Sequence, residues 1–76
     1  MDEQTLRDYY TFFTKVWRYF RKNNHPQTEE EWEQMVNDQM ELMKPYRNKG
    51  QFFISVMLAV MMEIERLNTP EGVQRS

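Results

Sequence analysis

The eleven residues Phe52 to Met62, Phe-Phe-Ile-Ser-Val-Met-Leu-Ala-Val-Met-Met, contain one polar side chain, Ser55. On a helix this run is apolar round most of its circumference, and such a helix is normally buried on all sides. It is far short of the ~20 residues that a membrane-spanning helix needs, so its cover has to be protein. The whole chain, however, has only 76 residues. A domain of that size buries roughly 60% of its unfolded surface and is usually held by disulfides, a metal, ideal packing or association. The chain has no cysteine and one histidine, which excludes disulfides, thiolate metal sites, cysteine nucleophiles and a multi-histidine site within one chain. Packing and self-association remain.

The formal net charge of −2 gives no bulk attraction toward nucleic acid or an anionic membrane. The acidic start, Met1-Asp2-Glu3-Gln4, lacks the basic and apolar segments of a signal peptide. A cytoplasmic protein without membrane contact is expected.

Apolar spacing is helical throughout, and no stretch alternates like a half-buried strand. The first helix is expected over about residues 3–22, capped by Asp2. At about 100° per residue, Leu6, Tyr9, Tyr10, Phe13, Val16, Trp17 and Phe20 form its inward stripe. Asn23 to Gln27 read as a turn, since Pro26 cannot continue a helix. The second helix is expected over 29–44. Thr28 followed by Glu31 makes a capping box, and Trp32, Met35, Val36, Met40, Leu42, Met43 and Tyr46 form the inward stripe. Pro45 is expected to kink or end this helix near Lys44. Gly50 suits a left-handed helix stop, and the third helix is expected over 51–67. Residues 1–68 then form one domain and 69–76 a disordered tail.

Two neighbouring helices cannot cover the whole of the third. Some of Phe53, Met57, Met61 and Ile64, or the face across from them, should stay exposed and mark an interface. The alternative is a compact bundle in which the first two helices and the tail wrap the third. Phe12 and Tyr19 lie on a shoulder of the first helix and offer a second anchor for a partner. Gln39 interrupts the second helix's stripe, where a polar residue can fix register or oligomeric state. The internal methionines Met35, Met40, Met43, Met57, Met61 and Met62 read as gap fillers in a small core.

Chemistry-bearing patterns are sparse. Glu29, Glu30, Glu31 and Glu33 are explained by the helix dipole and by charge pairing, without a metal. His25 has no nucleophile or carboxylate near it in sequence and reads as a solvated loop residue. There is no triad, glycine-rich phosphate loop or paired-carboxylate site, so neither enzyme activity, a small-molecule substrate nor a cofactor is expected. Aromatic and basic residues interleave over Tyr9–Lys22, as in single-strand binders, but fall mostly on opposite faces. Lys44, Arg47 and Lys49 form a small basic group that offers nucleic-acid contacts.

The pattern Trp17-x-x-Phe20, Pro26, Glu31-Trp32, Met43 to Tyr46 and Phe52 to Ile64-Glu65 resembles a loose set of short helical proteins encoded in prophages of low-GC Gram-positive bacteria. The resemblance spans residues 9–67 and rests on aromatic spacing. No activity is assigned to that set, so no site residues carry over. It implies an accessory protein that acts by binding a host or phage protein.

The expectation is an all-α chain, a three-helix antiparallel bundle dimerising through its third helix. Its function is a non-enzymatic protein–protein interaction, with a nucleic-acid-associated regulator using the basic helix ends of a dimer as the alternative.

Overall fold

A computed structural model describes residues 1–69. It contains three α-helices: α1 Glu3–Asn23, α2 Glu29–Met43 and α3 Gln51–Asn68. A 3-10 turn, Lys44–Tyr46, follows α2. There is no strand among the described residues. Beyond Thr69, the expected tail lies outside the described residues.

The helix ends follow from side-chain chemistry. An α-helix leaves its first N–H groups without partners, and here side chains supply them. The Asp2 carboxylate accepts from the Thr5 N–H at 2.8 Å, and hydrogen bonding to the Thr5 side chain and backbone holds its pKa below the usual carboxylate value. At α2 the Thr28 hydroxyl accepts from the Glu31 N–H at 3.1 Å, while the Glu31 carboxylate accepts from the Thr28 N–H at 3.3 Å. Pro45 ends α2 rather than bending it: the chain tightens into the 3-10 turn, with Pro at its start. Gly50 does not close the preceding helix in a left-handed turn. It precedes α3 with φ 135° and ψ 158°, a backbone region that residues with a Cβ rarely adopt.

Two contacts fix how α1 and α3 lie together. Near their starts, Tyr9 meets Phe52 edge-on at 5.4 Å. Near their ends, the Asn68 amide donates to the Asn24 carbonyl at 2.9 Å. The two helices therefore run side by side in one direction, and α2 packs against both.

The core is built from Phe12, Val16 and Tyr19 of α1, Met35 and Met43 of α2, Tyr46, and Phe53, Met57 and Ile64 of α3. Its centre is aromatic. Phe12 packs edge-on against Tyr46 at 4.9 Å and against Phe53 at 4.8 Å. Such pairs contribute about 0.5–1.5 kcal/mol beyond their area.

This core corrects the expected face of α1. Phe12, Val16, Tyr19 and Asn23 are buried, whereas Leu6, Tyr10, Phe13 and Trp17 are exposed. The helix is turned by about 90° from the expected orientation, at ~100° per residue. The cause is a set of directional contacts on the buried side. Phe12 engages the two rings just described, and the Tyr19 hydroxyl donates to the Met35 carbonyl at 3.2 Å. On α2, Val36 and Met40 were also expected inside and are exposed instead.

An exposed apolar face beside a polar clasp

The polar contacts between elements gather at the turn end of the molecule. The buried Asn23 amide donates to the Tyr19 carbonyl at 3.1 Å and to the Asp38 carboxylate at 3.2 Å. Asp38 also accepts from Gln34 at 2.7 Å and pairs with Lys22 at 2.9 Å. Partial burial pushes the Asp38 pKa up, but the hydrogen bonds from Lys22, Gln34 and Asn23, together with the Lys22 charge, outweigh it and leave a net lowering. Burial, and then the Asp38 charge, push the Tyr19 hydroxyl up to about 12. Nothing in the sequence pattern singles out Asp38 or Asn23; they are fifteen residues apart and meet only once α1 and α2 pack.

This clasp has a defined pH dependence. A carboxylate whose folded pKa is depressed stabilises the fold above its unfolded value, and the contribution disappears as pH falls through the folded value. Asp38→Asn is therefore expected to cost about 1 kcal/mol at neutral pH. The gap between wild type and variant should close once pH drops below the normal carboxylate range. Urea unfolding at neutral and acidic pH checks this; a gap that persists in acid would assign the loss to packing instead.

His25 is exposed but engaged. Its Nδ1 lies 2.7 Å from the Asn68 side-chain oxygen and its Nε2 lies 2.9 Å from the Gln27 amide nitrogen. It ties the α1–α2 turn to the end of α3 rather than standing free in solvent.

The residues expected to meet a partner are mostly internal. Phe12, Tyr19, Phe53, Met57 and Ile64 are buried in the chain's own core, and Met61 packs partly buried against it. Their apolar character is satisfied by one another, so they are not an open contact surface. The alternative left open for α3, the face across from them, is the one exposed: Phe52, Ile54, Leu58 and Met62 lie outside. The expected basic group is largely neutralised. Lys44 pairs with Glu41 at 2.6 Å and Lys49 with Asp8 at 3.6 Å. Arg47 lines a groove with Gln39, Met43, Ile54, Met57, Leu58 and Met61.

What the chain leaves open is an aromatic face on α1. Tyr10 is 73% exposed, Trp17 59%, Leu6 50% and Phe13 49%. This face continues onto α3. Phe13 meets Phe52 edge-on at 6.1 Å, and a groove of about 470 Å³ runs between Phe13, Trp17 and Phe20 on one side and Val56, Ala59 and Val60 on the other. Glu63 stands at its edge, where a hydrogen bond from Arg66 holds its pKa below the usual value. At ~200 Å² per aromatic side chain, these exposures leave on the order of 500 Å² of apolar surface, the size of the largest patch on a typical monomer, which is often functional. The groove between α2 and α3 is smaller, about 170 Å³, and is lined by Gln39 and Arg47 as well as by apolar residues.

No helix among the described residues is long and apolar enough to cross a membrane. No family model, curated protein or solved structure matches the chain.

Proposed function

We propose that the chain is a non-enzymatic protein–protein interaction module, an antiparallel three-helix bundle that associates with a second copy through the exposed face of α1 and α3. The observation that carries this reading is the continuous aromatic surface formed by Tyr10, Phe13 and Trp17 with Phe52. Aromatic side chains in this position are the usual anchors of an interface, and two-fold dimers are the commonest oligomers of soluble chains. The reading accounts for a small domain that spends apolar surface on its outside. It also agrees with the prophage-like spacing, which implies an accessory protein acting through contacts rather than chemistry.

Trp17 reports on the proposal directly. In a Trp32→Phe variant it is the only indole of the chain. Its emission is expected to shift to shorter wavelength with rising protein concentration, as the second copy removes water from the ring. Emission that stays at the solvent-exposed position across the whole series would contradict the proposal.

A further inference from the structure

α1 carries two apolar seams. Tyr9, Phe12, Val16, Tyr19 and Asn23 recur at intervals of three and four residues and face the core. Leu6, Tyr10, Phe13, Trp17 and Phe20 recur at intervals of four and three along the exposed face, with Phe20 the least open of them. This 4-3 spacing is that of a helix which packs along another helix, each knob entering a hole on its neighbour. The first seam is filled by α2 and α3. The second has no helix on it among the described residues.

The acidic side chains of α1 stand near its start and most of its cations in its second half. Asp2 at the cap, Glu3, Arg7 and Asp8 come first, and the cations Lys15, Arg18, Arg21 and Lys22 follow in the second half; Arg7 lies about 100° round the helix from the centre of the exposed seam. Several are already engaged: Asp2 caps the helix, Asp8 pairs with Lys49 and Lys22 with Asp38, and Lys15 sits over the Tyr46 ring at 5.4 Å. Glu3 and Arg21 are in no ion pair among the described residues. They are eighteen residues apart, five full turns of a helix, and so share one face, flanking the exposed seam. Their midpoint is residue 12, one position from Phe13, the middle of that seam.

Resting on the self-association proposed above, we infer that the occupant of the second seam is α1 of a second copy, running antiparallel, with the two-fold axis beside Phe13. In that register Leu6 lies against Phe20 of the other copy, Tyr10 beside Trp17, and Phe13 against Phe13. Glu3 of each copy meets Arg21 of the other. In the parallel arrangement Glu3 stands level with Glu3 and Arg21 with Arg21, on opposite sides of the seam, so neither meets its counter-charge. The Glu3–Arg21 pair therefore forms in one direction only.

Because the chain has no cysteine, single cysteines read this geometry without a background. Glu3→Cys and Arg21→Cys are prepared separately, then treated with a short bis-maleimide alone and as an equal mixture, with the solution mass of each sample recorded. The expected result is a cross-linked dimer in the mixture and in neither single sample. Cross-linking of Glu3→Cys with itself would overturn the antiparallel direction. A dimer by mass that cross-links in no sample would remove α1 from the contact while leaving self-association standing. A monomer by mass in every sample, wild type included, would overturn the self-association itself.

Discussion

In a Phe12→Ala variant the midpoint of thermal unfolding is expected to fall by about 12 °C or more, read by circular dichroism in dilute solution. Phe12 is fully buried and touches both Tyr46 and Phe53. Removing a buried phenylalanine costs about 3–5 kcal/mol, because transfer energy is lost and a cavity remains. In a domain of this size 1 kcal/mol moves the midpoint by roughly 4–8 °C. A single small core supplies little more than that loss, so the variant is close to unfolded at ordinary temperature. Phe13→Ala is the control: the adjacent residue, half exposed, should lower the midpoint by only a few degrees when the chain is dilute. Equal losses at the two positions would mean that α1 is not oriented as described.

Trp17→Asp is expected to separate association from folding. The indole is 59% exposed and packs only loosely on Phe20, with ring centroids 6.5 Å apart. A carboxylate there stays in water in the single chain, so the helical signal and the unfolding midpoint of the dilute protein should hardly change. In the associated state the same carboxylate is buried between apolar seams with no cation opposite it, a costly placement. Loss of a central aromatic anchor removes 2 kcal/mol or more of binding free energy, which is about 30-fold in the dissociation constant. Retained association at wild-type strength would place the contact elsewhere. Unfolding of the variant would show that Trp17 belongs to the core.

The contrast between Phe12 and Trp17 shows where the sequence stops being informative. Periodicity identifies an apolar arc on a helix, and on α1 that arc spans about half the circumference. The arc contains both seams, and nothing within α1 says which one faces inward. The choice is made by groups far along the chain: the Tyr46 and Phe53 rings that receive Phe12, and the Met35 carbonyl that receives the Tyr19 hydroxyl. The spacing of Phe12, Val16, Tyr19 and Asn23 was present as a signal, but it competes with an equally regular one beside it. Features with purely local causes were legible. Thr28 and Glu31 form their capping box within four residues, and the helical character of three segments needed only apolar spacing and the absence of strand alternation. The apolar run in α3 is too wide for its neighbours to cover. The run alone did not say that Phe53, Met57 and Ile64 go inside while Ile54, Leu58 and Met62 stay out.

The exposed aromatic face gives the molecule its proposed role, and the mass of the protein in solution tests it most directly. Light scattering after size exclusion would be recorded over a dilution series for the wild type and for Trp17→Asp. The account expects the wild type at twice the 9.5 kDa chain mass at high concentration, moving toward the single chain on dilution, with Trp17→Asp a monomer throughout. A wild type that remains a single chain at every concentration would contradict it.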